Sequence, residues 1–263
     1  MLVLAGNGGV VAAVESEEMC GRYYRKSDRK AIAEAFGLRG LAEGFTLPPW
    51  DFNVAPTTFQ PVIRNNRDTG ERELVLMRWG LVPHTARSLA EYKGLSTINA
   101  KAETLMTRPM WRVPFERRRC LVPADGFYEW KAVHAEDAAG PEGKAAEGRA
   151  VKQPYGFSLR SGKLFAFGGV WDAWKDPATG EWLQSFAIIT VPPNELTATV
   201  HDRMPLILAP EDYARWLDRS SVEPPVDLLR SFPAEEMWVK KVKKDVGNAR
   251  NNSPDLLDEE GSP

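Results

Sequence analysis

Cysteine is nearly absent from this chain, with two in 263 residues, and histidine occurs only three times. Cys20 and Cys120 make no disulfide framework and belong to no C-x-x-C pair of zinc-site spacing, so no metal and no other cofactor are expected. Such sparing use of cysteine fits a reducing compartment, cytoplasmic or nuclear. No apolar run approaches the roughly 18 to 20 residues that span a bilayer, so a membrane is not an expected partner. The opening stretch MLVLAGNGGVVAAVESEE lacks a basic leader and runs into acids, which argues against a secretory signal. Also missing are a G-x-x-x-x-G-K-[ST] loop, a strand-to-helix G-x-G-x-x-G turn and any internal repeat. Nucleotide-hydrolysing and dinucleotide-binding readings are correspondingly weak.

Tryptophan, in contrast, is plentiful, with nine rings whose flat faces can serve ligands as well as a core. Hydrophobic residues at 43% and charged residues at 27% are an ordinary globular mix. The length permits one large domain or two small ones with a sizeable core. The net charge of -2 conceals an asymmetry: residues 1–19 carry -3 and residues 246–263 carry -3, which leaves +4 for 20–245. That central part is mildly basic and admits a polyanionic partner without requiring one.

Three stretches, 1–19, 132–153 and 246–263, are rich in Ala, Gly, Pro and acids and lack periodic apolar positions. They are expected to be an extension, a disordered surface insertion and a disordered tail around one domain spanning 20–245. Within that domain SDRKAIAEAFG (27–37) reads as a helix, with Ser27 as N-cap and Gly37 as stop. PEDYARWLDR (210–219) reads as a second, with Pro210 in its first turn. Strand-like runs fall at ELVLMRWGLVP, CLVPADGFYEW, PYGFSLRSGKLFAFGGVW, SFAIITV and MPLILAP, and Ser161-Gly162 marks a hairpin turn. The expected class is α+β, with curled, mostly antiparallel sheets and a few short helices.

Four short blocks each hold one group capable of chemistry: MCGRY with Cys20, STINAKAET with Asn99, ADGFYEW with Glu129 and HDRMP with His201. Singly, each has a plain structural explanation. A cysteine beside a strand serves as a small buried hydrophobe, Asn caps and turns, a strand Glu faces water, and a surface His is unremarkable. Arg22, Arg25, Lys26, Arg29 and Lys30, and likewise Arg117, Arg118 and Arg119, could be solvated faces.

The order Met19-Cys20 changes the balance. With Met19 as initiator and then removed, Cys20 carries an α-amine next to its thiol. Such an amine has a pKa of about 7.7 to 8.0, well below a lysine's, so part of it is nucleophilic at neutral pH. It attacks an aldehyde to give an imine, and the neighbouring thiol then closes a five-membered thiazolidine. An internal cysteine has only an amide nitrogen and forms no such ring. The patternless residues 1–18 accordingly read as a start assigned too early or a segment cut away. Glu129, desolvated by Tyr128 and Trp130, and His201 are the candidate proton carriers, and Asn99 a hydrogen-bonding positioner. Arg22 suits a phosphate, and Trp79 and Trp130 suit stacking on unpaired bases.

These blocks, with NVAPT (53–57) and RWGLVP (78–83), resemble the SRAP family of SOS response-associated peptidases, or abasic-site-processing proteins, from Cys20 to about Lys244. The resemblance implies a single α+β domain that captures abasic sites in single-stranded DNA through a thiazolidine at its N-terminal cysteine. It also implies autoproteolytic or aminopeptidase exposure of that cysteine. Cys20, Asn99, Glu129 and His201 match the family's catalytic positions, and Arg22, Trp79, Lys101 and Trp130 match positions lining its DNA groove. Lys101 departs from the arginine common there, which keeps the charge but loses the planar fork. The expected protein is a monomer acting in the cytoplasm, at the nucleoid during damage, or in a nucleus. Two other readings stand beside it: a thiol peptidase using Cys20 and His201, and a non-covalent binder of single-stranded nucleic acid.

Overall fold

Strands dominate, as the alternating runs require, in a computed structural model that describes residues 20–40, 45–92, 97–133, 151–221 and 223–261. The strands are β1 (Arg22–Arg25), β2 (Asp51–Val54), β3 (Phe59–Asn65), β4 (Arg72–Trp79), β5 (Asn99–Lys101), β6 (Arg119–Ala124) and β7 (Gly126–Val133). They continue as β8 (Val151–Leu159), β9 (Phe165–Lys175), β10 (Trp182–Val191), β11 (Met204–Pro205), β12 (Ile207–Leu208) and β13 (Met237–Lys241). The α-helices are α1 (Arg29–Phe36), α2 (Pro109–Arg117) and α3 (Tyr213–Leu217).

Two sheets divide the strands. In the larger, β3 pairs with β4 and β6, β6 with β9, β9 with β10, and β10 with β4. Those five strands form a closed ring, which removes open edges along most of its wall. The smaller sheet runs β13-β8-β7-β1-β2. All its pairings are antiparallel, whereas β10 runs parallel to β4 and β5. The chain crosses from ring to sheet between β6 and β7, at Asp125-Gly126. Asp125 anchors the crossing: its backbone N–H bonds Tyr24 O at 2.9 Å, and its carboxylate accepts Lys26 N, Ser27 N and Ser27 Oγ within 2.9 Å. Gly126 is required there, because a Cβ would stand 2.3 Å from the Tyr24 hydroxyl.

Between the sheets lies the main core, where Tyr23 meets Trp79 and Phe167 edge-on at 5.2 and 5.7 Å. Trp79 stacks on Phe186 with the ring planes 8° apart. A second apolar cluster, Tyr24, Phe52, Tyr128, Val242, Val246 and Leu256, lies on the other side of the smaller sheet.

Several local expectations need correction. The N-cap of α1 is Asp28, whose carboxylate accepts Ala31 N at 2.8 Å, because Ser27 is already taken by Asp125. Gly37 does end the helix, at φ 61°. The turn at Ser161-Gly162 exists, with Gly162 N bonded to Leu159 O, yet β8 and β9 part into different sheets and form no hairpin. Pro210 opens a 3-10 turn that leads into the shorter α3. The expected tail 246–263 is packed as far as it is described. Val246 and Leu256 are buried, Phe52 N bonds Asn252 Oδ1 at 2.7 Å, and Asn53 Nδ2 lies within 3.1 Å of the carbonyls of Val246, Asn248 and Asn251. Two isolated apolar anchors joined by asparagine bonds show no periodicity, so composition alone reads as disorder. The expected insertion is shorter than 132–153, because Ala132 pairs with Lys152 and Val133 with Val151; residues 134–150 lie outside those described. The extension 1–19 also lies outside them.

Candidate active site

The end of β10 organises the site. At Ile188, β10 still pairs with β9 on one edge and already pairs with β5 on the other. At Thr190, β5 keeps its edge while β11 takes the place of β9. The β5 block carrying Asn99 and Lys101 and the HDRMP segment leading into β11 therefore flank the same short stretch of β10. Arg203 ties them: its guanidinium holds the Glu103 carboxylate by two bonds, 2.6 and 3.0 Å, and donates to Thr190 O at 2.7 Å. A bidentate pair of this kind fixes orientation as well as distance.

β1 and β7 bring the second half of the site. Arg22 pairs with Tyr128, so Cys20 and Glu129 lie around the next step of the ladder. Both are buried, at 2% exposure, and the thiol and carboxyl are hydrogen-bonded. Removal from water pushes Glu129 up to about 8, with the nearby Asp202 charge adding to the rise. The Cys20 bond and a bond from the Trp130 backbone pull it back only in part. Burial, reinforced by the Glu129 charge, likewise drives the Cys20 thiol well above its usual value. Burial thus favours the neutral form of both groups.

Glu129 Oε1 and Asn99 Oδ1 are among the buried polar atoms that have no partner among the described residues. The amide nitrogen of Asn99 reaches Ile188 O at 3.4 Å. Unsatisfied buried acceptors are rare and call for a donor, from a ligand or water. His201 Nδ1 accepts from Arg203 N at 3.1 Å and stands 3.1 Å from Asp202 Oδ1.

Cys20 and Glu129 are thus in contact, while His201 and Asn99 lie on the segments that flank β10. The expected DNA-binding positions fare differently. Trp79 is a core ring with 0% exposure whose Nε1 bonds Ile98 O, so it offers no stacking face; its polar sequence context concealed its place on an inward strand position. Arg22 is engaged with Asn53 Oδ1 at 2.9 Å and Val246 O at 3.1 Å, and so secures the C-terminal segment. Trp130 is half-buried against the second apolar cluster, and Lys101 is half-buried at the end of β5. Asp202 and Arg203 belong to the same HDRMP block, but in sequence only its histidine signals chemistry; their part shows in the Asp202 charge near Glu129 and the Arg203 bonds to Glu103. Arg119 is no solvated residue: its guanidinium is buried and takes the carbonyls of Phe115, Glu116, Trp216 and Asp218.

Residues 19–249 match the family described as SOS response associated peptidase (SRAP). The chain is 37% identical over 243 residues to the abasic site processing protein YoqW of Bacillus subtilis, covering 91% of this chain and 99% of that one. It is 30% identical over 267 residues to the abasic site processing protein HMCES of Pongo abelii, covering 91% and 75%. A crystal structure of a protein from Bacteroides thetaiotaomicron superposes with a TM-score of 0.76 at 27% identity, covering 91% of this chain and 99% of that one. The chain belongs to the SOS response associated peptidase (SRAP) family.

Proposed function

We propose that this protein captures abasic sites in single-stranded DNA as a covalent thiazolidine on Cys20. The observation that carries the reading is the buried Cys20–Glu129 pair, with the carboxyl held protonated near neutral pH beside unsatisfied acceptors. Relatives that share most of the chain's length carry the name abasic site processing protein.

The chemistry runs in three steps. The Cys20 α-amine adds to the C1′ aldehyde of the opened deoxyribose, giving a carbinolamine. Its hydroxyl leaves as water, with Glu129 giving the proton, and an imine forms. The thiol then adds to the imine carbon while its proton passes to nitrogen, and the ring closes. Glu129, left as a carboxylate by the dehydration and hydrogen-bonded to the thiol, would relay that proton as sulfur adds. Asn99 Oδ1, an acceptor without a partner, would take an N–H of the amine and aim its lone pair. His201 would serve ring-opening of the sugar as the second proton carrier. Lys101 and the exposed part of Trp130 would meet the strand. Arg22 would act by bracing β1, and Trp79 as packing behind the site.

The ring requires an amine on Cys20, so capture follows exposure of that residue by cleavage or by initiation at Met19. A peptidase acting on other proteins is disfavoured, because burial and Glu129 raise the thiol pKa, the reverse of what activates a cysteine nucleophile. The test is intact mass before and after mixing with a single-stranded oligonucleotide bearing one abasic site. The expected result is a protein beginning at Cys20 and an adduct equal to protein plus DNA less one water. An amine-free Cys20 that still forms the adduct would overturn the reading.

A further inference from the structure

A groove of about 830 Å³ opens among the β3–β4 turn, the C-terminal end of α2, β9 and the chain following α3, and it shares no residue with the Cys20 site. Its wall carries Arg64, Arg67, Arg117, Arg118, Arg219 and Trp171, against the acids Asp68 and Glu73. Two of the guanidiniums are fixed in place. Arg64 donates to Glu73 at 2.7 Å and lies 4.4 Å from the centre of the Trp171 ring. Arg118 is held by Asp172 at 2.5 Å. Arg219 reaches Asn66 O across the groove at 3.3 Å.

Arg67 and Arg117 are different. Both are exposed, and neither side chain makes a hydrogen bond or ion pair among the described residues. Arg117 could have been carried anywhere by a mobile end of helix, but its neighbour Arg119 is buried and takes four carbonyls from α2 and the α3 end. That clamp sets the direction in which the residues just before it project. The groove therefore combines a rigid floor with two unneutralised forks at its rim.

We infer that this groove is a second contact for DNA, holding the phosphodiester backbone of the strand outside the captured nucleotide. This deepens the proposed function and rests on its premise that DNA is the substrate. Several features favour a phosphodiester chain over other anions. The space is far larger than one phosphate needs. Planar guanidinium forks match pairs of phosphate oxygens, and every cation in the wall is an arginine. The half-buried Trp171 places a ring beside the charged row, as in surfaces that bind single strands. No exposed aliphatic residue lines the wall to grip a peptide.

The experiment compares the processed protein with its R67E/R117E variant, using fluorescein-labelled oligonucleotides free of abasic sites, about 5 and about 16 nucleotides long. Salt titrations are read by anisotropy. The variant is expected to bind the long strand at least tenfold more weakly, with a log K against log salt slope smaller by about 1.4, or about 0.7 for each of two phosphates. Adduct formation on a short abasic oligonucleotide is expected to stay unchanged. The R67K/R117K variant, which keeps charge and fold, should retain the slope. Equal affinity and slope for the long strand in wild type and R67E/R117E overturns the inference. So does a glutamate-rich peptide binding the groove more tightly than the oligonucleotide, or inorganic phosphate displacing the strand at equal charge. Failure of the unaltered protein to form an adduct would instead count against the thiazolidine reading, leaving the slope comparison to decide the groove.

Discussion

The Cys20–Glu129 pair and the arginine groove handle polarity in opposite ways. The first places two ionisable groups out of water, each pushed toward its neutral form by burial. The second keeps its arginines charged and leaves two of them open to solvent. Desolvation makes the first region sensitive to pH and nearly indifferent to salt, because buried groups are poorly screened. Coulomb attraction makes the second sensitive to salt and indifferent to pH over the range in which arginine holds its proton. On the proposed reading, the comparison separates capturing from holding.

The largest effect is expected from Cys20→Ala, which should abolish the denaturant-stable adduct while leaving salt-dependent binding intact; mass spectrometry and anisotropy read the two separately. An adduct surviving denaturant in that variant would mean that ring closure by the thiol is not what holds the DNA. Next comes Glu129→Gln. Its capture rate at neutral pH should fall about 100-fold, the ordinary worth of a general acid. In the unaltered protein the rate should decline as pH rises through about 8, where Glu129 loses its proton, and the variant should lack that decline. A rate–pH profile of unchanged shape would place the acid elsewhere.

Raising salt from 50 to 200 mM sharpens the contrast further. Non-covalent affinity should drop by one or more orders of magnitude, whereas the rate at saturating DNA should change less than twofold. The smallest effect concerns stability. Glu129 holds its proton in the folded protein up to about 8 and in the unfolded chain only to its ordinary value of 4.5. The folded state binds more protons between those values, so the stability tied to the protonated acid is full below 4.5 and is lost as pH rises through about 8. Thermal melts of Glu129→Gln should lose that slope and gain on the unaltered protein at pH 8.

What could be read in advance follows from how each feature is encoded. Alternating strands with few helices were legible because period-two patterning is local. Cys20, Asn99, Glu129 and His201 stand out in the sequence as residue types in short polar-aromatic blocks, but the contact of Cys20 with Glu129 and the placing of Asn99 and His201 beside β10 depend on strand pairing, which no local pattern records. Helix α2 was missed because Pro114 lies within it and reads as a breaker; Pro109 at its start was the available signal. Trp79 misled because a ring beside Arg78 and Gly80 looks like a ligand platform until strand β4 turns it inward. The C-terminal segment misled for the converse reason: besides the isolated anchors Val246 and Leu256 it is held through its own carbonyls and the Asn252 side chain, which leave no periodic hydrophobic trace.

That segment also sets an order of events. Arg22 in β1 bonds the carbonyl of Val246, 224 residues later, and Asn53 in β2 bonds the same carbonyl. Neither bond can form while residue 246 is still inside the ribosome. β1, which follows Cys20, is thus made early and gains this brace late, and a nascent chain stalled short of residue 246 would hold Cys20 beside an unbraced strand.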